Sequence, residues 1–310
     1  MRIIRNILLV IVSLLANTII DAQNIKYSTI SHLQQLNISI PQNNGREKNI
    51  KPPYPTIIVI KENDSVNINN NINKNFINNA LNEGFAVITI GYRDLFPQCI
   101  QDANAAIKWI KANSKKYKIH RDKLFLWGVG YGGNIALIAG ISGTYFAGYD
   151  AIVDFGSDPE IANAQKNAQT ILNNVQIFNE MWDNNNNQIL NFQSSNIYNQ
   201  DTKVLAIINF FAPFTSPWNI PAKLNNTKSK IDSPFTYITP ETPAVLSLYA
   251  SDMSKGTLSK ADSLYKKVIN VTQNNNLAEY LIYDHYSLEN NSNSIINRIF
   301  AFINSSEHDK

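Results

Sequence analysis

Cysteine is almost absent from the chain, because Cys99 is the only one among its 310 residues. An intrachain disulfide is therefore excluded, and stability must come from a buried core. The 44% of hydrophobic residues in this chain are enough to form one. Cys99 lies in the apolar repeat of a predicted helix, so we interpret it as a small buried side chain and not as a reactive thiol.

Charged residues are also scarce. They make up 16% of the chain, and the formal net charge is only +3, which argues against a dedicated nucleic-acid surface. The sequence contains no H-E-x-x-H pair, no paired C-x-x-C, no Walker loop and no calcium-binding loop. We therefore expect no metal, no cofactor and no nucleic-acid partner.

Only one long apolar run is present, and it lies near the N-terminus. Arg2 and Arg5 precede the apolar residues 7–15, and the small residue Ala22 offers a cleavage point. This pattern is typical of a secretory signal peptide over residues 1–22, and the run is short for a membrane span. We predict a secreted or periplasmic protein with no stable span after cleavage. The alternative is a membrane anchor left by an uncleaved signal.

Short apolar runs alternate with amphipathic stretches along most of the chain. Such alternation predicts an α/β fold, a three-layer sandwich with a mostly parallel central sheet. Strands are predicted at 56–60, 85–90, 123–127, 151–154, 204–210, 244–249 and 279–283. Helices are predicted at 73–82, 98–114, 134–139, 259–270 and 295–303.

The pattern predicts a single domain. Residues 23–53 are polar and turn-rich, and we interpret them as a leader or an edge strand ahead of a domain over residues 54–310. An Asn-rich insertion at about 156–203 interrupts the alternation. We consider it a possible cap on the carboxyl edge of the sheet.

Two blocks of residues stand in a distinctive order. The first is Gly91-Tyr92-Arg93, Phe96-Pro97, Asp102, Ala105-Ala106-Ile107, Trp109 and Trp127-Gly128, and the second is Ser233-Pro234-Phe235-Thr236-Tyr237-Ile238-Thr239, Pro243 and Asp252. In this order they resemble the α/β-hydrolase superfamily, and more narrowly its bacterial carboxylesterases and feruloyl-esterase-like proteins. The resemblance implies the α/β-hydrolase fold over most of residues 54–303. It also implies ester hydrolysis by a serine, an acid and a histidine, in that chain order.

The serine that this chemistry needs is missing. The resemblance implies a G-x-S-x-G elbow after strand 123–127, where the chain reads Gly128-Val129-Gly130-Tyr131-Gly132. Gly128 and Gly132 stand where the turn needs them, but Gly130 occupies the position of the serine. Glycine relieves backbone strain at such a turn. It has no hydroxyl, however, and loss of a triad nucleophile removes orders of magnitude of rate.

The segment that should donate hydrogen bonds to an oxyanion is also altered. Proteins of this type carry H-G-G-G after the strand at 56–60, whereas this chain reads Lys61-Glu62-Asn63-Asp64. Residues other than glycine disfavour the tight donor-presenting turn, and losing one oxyanion donor costs roughly 3 kcal/mol of transition-state stabilisation. Two parts of the catalytic apparatus therefore depart from the pattern.

The resemblance places the acid at Asp252, after strand 244–249, and the base at His285, after strand 279–283. The alternatives are a turn aspartate and a structural histidine. We predict that the pair survives as a remnant. The resulting hypothesis is a pseudoenzyme that binds an ester, acyl or carbohydrate-ester ligand or a protein partner.

One alternative is an active carboxylic-ester hydrolase with a non-standard nucleophile. Ser142, in Gly140-Ile141-Ser142-Gly143, lies near a helix end, and Ser157 follows a predicted strand. Neither context supplies the strand-to-helix turn that an elbow serine requires. A water activated by His285 is the other form of this alternative.

The second alternative is a dinucleotide-binding protein. Gly128, Gly130 and Gly133 spell G-x-G-x-x-G between a predicted strand and a helix, and Asp154 ends the next predicted strand about 20 residues later. Two buried strands precede this turn, however, whereas the fingerprint normally opens the first βα unit of its domain.

Overall fold

The computed structural model describes residues 22–28, 31–41, 50–61, 70–94, 96, 98–143, 200–214, 233–284 and 292–306. The strands are β1 (Ala22–Lys26), β2 (Gln35–Ser39), β3 (Tyr54–Ile60), β4 (Ala86–Ile90), β5 (Ile119–Val129), β6 (Ala206–Phe210), β7 (Ala244–Ala250) and β8 (Ala278–Tyr283). The helices are α1 (Asn70–Glu83), α2 (Gln98–Asn113), α3 (Tyr131–Ser142), α4 (Lys255–Thr272) and α5 (Ser292–Ser306), with short 3₁₀ helices at Pro234–Tyr237 and Asn275–Leu277.

The described strands form one sheet in the order β1-β2-β4-β3-β5-β6-β7-β8. Strands β4, β3, β5, β6, β7 and β8 are parallel, and β1 and β2 are antiparallel to their neighbours. The mostly parallel sheet predicted from the apolar runs is therefore confirmed. Parallel strands need helical crossovers, which cover both faces of the sheet.

The two faces of the sheet pack into two separate cores. Along β5, Leu124 and Leu126 point into a core shared with α2, α3 and α4, and Phe125 and Trp127 point into a core shared with α1 and α5. Phe76 of α1 stacks on Trp127 with ring centroids 3.7 Å apart. Burying one such side chain contributes about 1.5–3 kcal/mol, so the two cores supply the stability that no disulfide provides.

The predicted elements are found wherever the structure describes the chain. The strand predicted at 151–154 lies outside the described residues. Residues 23–53 are more than a leader, because they contribute β2 and most of β1 to the sheet. Leu36 and Ile38 of β2 are buried, and this two-residue alternation is the signature of a half-buried strand. Cys99 is buried as predicted, and burial raises the pKa of its thiol.

The direction in which the chain adds strands to the sheet reverses between β3 and β5. The chain passes from β3 to β4 on one side and from β5 to β6 on the other. The helices that follow, α1 and α3, lie on opposite faces. A crevice opens at the carboxyl ends of two strands whose connections diverge in this way. The turn that begins at Gly128 lies at this point.

The described residues on either side of the predicted insertion lie at the amino edge of the sheet. Lys111 of α2 forms an ion pair with Asp201, and Arg121 at the start of β5 donates to Gln200 Oε1 at 2.9 Å. Helix α3 runs back from the carboxyl edge and ends at Ser142. The flanking residues thus lie at the edge of the sheet opposite the elbow, and the cap proposed for the insertion stays a prediction. Residues 144–199 lie outside the described part.

None of the described helices is long and apolar enough to cross a membrane. The predicted signal sequence lies outside the described residues except for Ala22, which is the first residue of β1 and pairs with Ile38.

Candidate active site

The turn between β5 and α3 has the shape that an elbow requires. Val129 ends the strand, Tyr131 begins the helix, and Gly130 between them has φ 57° and ψ −125°. The Gly130 N–H donates to Phe210 O at 2.8 Å, and the Gly130 carbonyl accepts from Gly133 N at 3.0 Å. L-residues rarely adopt this positive φ, so a side chain at position 130 would be held under strain.

Two other glycines of the motif are required by close packing. A Cβ at Gly128 would lie 2.2 Å from Gly132 O, and a Cβ at Gly132 would lie 2.2 Å from Ile60 O. The first turn of α3 therefore lies directly against the carboxyl end of β3. Of the fingerprint glycines, Gly128 is thus explained by packing and Gly130 by its positive φ, without a nucleotide. Asp154 of the dinucleotide alternative lies outside the described residues.

The predicted oxyanion segment begins beside the elbow. Tyr92, which is buried, donates from its hydroxyl to Lys61 O at 2.6 Å and fixes the first residue after β3. Residues 62–64 lie outside the described part. The structure thus places the start of this segment next to the turn at Gly132.

The predicted acid lies in the turn after β7. Ser251 N donates to Tyr283 O at 2.8 Å, and Met253 N donates to Ala250 O at 3.2 Å, which together fix the exposed residue Asp252 between them. Tyr283 ends β8 two residues before the predicted base. His285 lies outside the described residues, so its pairing with Asp252 stays a prediction.

The serines proposed as substitute nucleophiles gain no support. Ser142 ends α3, at the edge of the sheet opposite the elbow, and its Oγ is buried. Ser157 lies outside the described residues. No strand-to-helix turn surrounds Ser142, which disfavours it as a nucleophile.

Sequence reasoning missed a buried polar network beneath the elbow. Asn209 of β6 donates to Tyr249 Oη at 2.9 Å and to Ser247 Oγ at 3.4 Å, and both partners lie on β7. A Cβ at Gly133 would lie 2.6 Å from Asn209 Oδ1. Burial raises the pKa of the Tyr249 phenol above its ordinary value of 10.0, so its hydroxyl stays a neutral donor. An asparagine inside an apolar strand signals that buried partners are needed, but it does not say which residues they are.

The residues of the resemblance around Asp102 have a structural role. Arg93 donates from Nη2 and Nε to Asp102 Oδ1 at 2.6 Å and Oδ2 at 3.0 Å. The Arg93 N–H and the Gln34 amide also donate to this carboxylate. The Asp102 side chain is only 1% exposed. It therefore joins α2, the loop after β4 and the β1–β2 hairpin, and it takes no part in the elbow.

Comparison with known proteins agrees with this fold. Residues 45–267 match the family model described as BD-FAE. No curated protein matches the chain. Among solved structures, the chain is similar to a truncated carbohydrate esterase from gut microbiota, with 17% identity, a TM-score of 0.59, and coverage of 92% of this chain and 95% of that one.

Two further structures are similar over most of the chain. A bifunctional GH43-CE protein of Bacteroides eggerthii has 19% identity and a TM-score of 0.58, with coverage of 92% of this chain and 38% of that one. Esterase Est2 of the planctomycete Thermogutta terrifontis has 11% identity and a TM-score of 0.53, with coverage of 86% and 84%. At such low identity the likeness shows the fold alone, and the fold is that of the α/β hydrolases.

Proposed function

The chain belongs to the BD-FAE family of esterase-like α/β hydrolases, and we propose that it binds an ester in the family's cleft without serine-based hydrolysis. The observation that carries this proposal is Gly130. Its backbone has the elbow conformation, yet the position carries a hydrogen atom where a hydroxyl would project. Binding and orientation depend on the cleft, whereas covalent acyl transfer depends on the nucleophile.

Two further features support a loss of chemistry. The segment that starts at Lys61 lacks the glycines of a donor-presenting turn. Asp252 is exposed in its turn, where water weakens its electrostatic effect on a neighbouring imidazole. A protein without the serine and without these glycines keeps the fold and lacks parts that stabilise the transition state.

The ligand class we propose is a carbohydrate ester or another small acyl ester. The similar structures named carbohydrate esterase and GH43-CE motivate this choice. A protein partner at the same cleft is the alternative within this proposal.

Gly130→Ser tests the role of the missing hydroxyl. The wild-type protein should not be labelled by a fluorophosphonate probe and should not hydrolyse p-nitrophenyl acetate above the buffer rate. The variant should gain probe labelling at position 130, because the new hydroxyl would project from an elbow already in the required conformation and the predicted base His285 would activate it. Mass spectrometry of the labelled peptide checks the position.

Gly143→Ser is the matched control. Gly143 has φ 58° and ψ −126° at the opposite end of α3, so it presents a serine from nearly the same backbone conformation. This variant should stay unlabelled, because no elbow surrounds the position. Wild-type turnover that disappears in His285→Ala would overturn the proposal in favour of an active hydrolase.

We also propose that the protein is exported. The basic, apolar and small-residue pattern of residues 1–22 supports this. Cleavage after Ala22 would leave four of the five β1 residues in place, including Ile25, which pairs with Leu36. N-terminal sequencing of protein recovered from the periplasm or medium should begin at Gln23. An intact N-terminus on membrane-bound protein would instead support the uncleaved anchor.

A further inference from the structure

The segment after β6 has an unusual backbone. Phe211 has φ 60° and Phe214 has φ 51°, and a positive φ is uncommon for a bulky side chain. Such conformations persist only where surrounding contacts hold them. The residues between Phe211 and Phe214 must therefore be fixed by something other than their own preferences.

Two buried side chains bind both backbone groups of Ala212. The Ala212 N–H donates to Asn209 Oδ1 at 3.1 Å, and the Ala212 carbonyl accepts from Tyr249 Oη at 3.1 Å. Asn209 Nδ2 donates to Tyr249 Oη at 2.9 Å and closes a ring of three hydrogen bonds. Asn209, Ala212 and Tyr249 are all fully buried, where each such bond is strong and each lost bond is expensive.

The residues of this hydrogen-bonded ring also contact the rest of the segment and the elbow. The Tyr249 ring stacks on Phe214 with centroids 6.0 Å apart. On the other side of Ala212, Phe210 O accepts the Gly130 N–H at 2.8 Å. Asn209 Oδ1 also lies against Gly133, where a Cβ would be 2.6 Å away. The Phe211 N–H donates to Leu248 O at 3.0 Å, so this bond and the contacts at Ala212 together hold the backbone that carries the acceptor of Gly130.

We propose that Asn209 and Tyr249 are positioning residues of the site, which fix the elbow at Gly130 by holding Ala212 from both sides. Neither side chain needs to contact a ligand for this role. They act through the backbone of the segment after β6. The relevance of this inference to function rests on the proposal above, in which the ligand binds at the elbow.

Amide hydrogen exchange in protein labelled with ¹⁵N-glycine tests this directly. The chain has 12 glycines, and the Gly130 signal is identified by its loss in Gly130→Ser. Tyr249→Phe removes the hydroxyl that holds Ala212. We expect the Gly130 amide to exchange at least about tenfold faster, while Gly140 in the last turn of α3 changes much less. A purely structural role would raise exchange at both glycines equally.

Tyr280→Phe is the matched control. Tyr280 also donates its hydroxyl to a backbone carbonyl, Leu258 O at 3.2 Å, and its ring contacts Tyr249 with centroids 5.9 Å apart. Its removal should leave Gly130 exchange unchanged. Equal acceleration in the two variants, or none in Tyr249→Phe, overturns the proposal.

A wild-type measurement decides the question if Tyr249→Phe does not fold. In uniformly ¹⁵N-labelled wild-type protein, the amides of Ala212 and Gly130 should exchange at similar rates, because one set of contacts holds both. Exchange at Ala212 more than about tenfold faster than at Gly130 would show that they are not coupled. Because exchange reports the backbone and not turnover, this result is independent of whether Gly130→Ser reacts.

Discussion

At the residue scale, Asp102 is the side chain outside the elbow whose substitution we expect to lower the free energy of unfolding most. Its carboxylate accepts hydrogen bonds from the Arg93 side chain, the Arg93 N–H and Gln34. Asp102→Asn would keep the size of the side chain and leave Arg93, only 20% exposed, without its counter-charge. Breaking a buried pair in this way costs about 3–5 kcal/mol. Urea denaturation should show a loss of this size in the free energy of unfolding.

Asp122→Asn is the control for this prediction. Asp122 pairs with Arg121 at 3.1 Å, but the two side chains are 64% and 45% exposed. Exposed pairs contribute at most about 1 kcal/mol, because water screens the charges. Similar losses in the two variants would mean that the Arg93–Asp102 pair does not join the elements as inferred.

Single residues also show what a sequence reveals about a site. The glycine at position 130 could be recognised because flanking glycines and a strand mark the turn. The roles of Asn209 and Tyr249 could not, because their partners lie on a neighbouring strand and in a loop. Nothing in local spacing encodes a hydrogen bond between β6 and β7.

At the element scale, a charged cluster joins the C-terminal end of α2 to the residues that lead into β6. Lys111, with a side chain only 2% exposed, pairs with Asp201. Burial acts to raise the pKa of Asp201. Hydrogen bonds from Lys111 and the Lys203 N–H, with the charges of Lys111 and Arg121, outweigh it and hold the pKa below 3.8. The carboxylate is therefore the favoured form in the folded protein.

This shift predicts a pH-dependent contribution to stability. Because the folded pKa is depressed, the contribution is complete above the ordinary value of 3.8 and is lost as the pH falls through the lower folded value. Asp201→Asn should lower the free energy of unfolding by about 1–2 kcal/mol near neutral pH, a value reduced by solvent screening. The difference between wild type and variant should shrink below pH 3.8 in urea titrations.

Asp262→Asn is the control at this scale. Asp262 pairs with Lys266 one turn along α4, and both side chains are exposed. Its loss should change stability by no more than a few tenths of a kcal/mol. A pH-independent loss in Asp201→Asn would contradict the assignment of the effect to the carboxylate.

Periodicity predicted most elements and misplaced some of their ends. Helix α3 begins at Tyr131 and α4 at Lys255, each earlier than the apolar repeat indicates. In the first turn of α3, Gly132 is demanded by contact with β3 and Gly133 by contact with Asn209 of β6, a tertiary cause that propensity does not register. In α4 the signal is local, because Ser254 Oγ caps Thr257 N at 3.1 Å.

At the scale of the whole molecule, the fold and the chemistry are separable. Two cores and an eight-stranded sheet among the described residues supply the stability, while the proposed loss of activity depends on one missing side chain. The strand order came from the structure, because apolar patterning fixes which residues are buried but not which strands are neighbours. Loss of the serine need not therefore weaken the fold.

Glycine at position 130 should in fact make the molecule more stable than a serine would. A non-glycine residue at such a positive φ costs about 1–3 kcal/mol. Gly130→Ser should lower the free energy of unfolding by this amount, measured by urea denaturation, even as it gains reactivity. Strain held by a nucleophile in an active site would thus have been released together with the nucleophile.

Gly143→Ser separates backbone strain from contacts within the elbow. A Cβ at Gly143 would meet nothing within 4 Å, so its substitution should report the cost of the backbone conformation alone. If the glycine at position 130 stabilises the fold by relieving strain, the two serine variants should lose similar stability, and only Gly130→Ser should react with the probe. Unchanged stability in Gly130→Ser beside a clear loss in Gly143→Ser would mean that the elbow still accommodates a side chain at no cost. Relief of strain would then not account for the glycine.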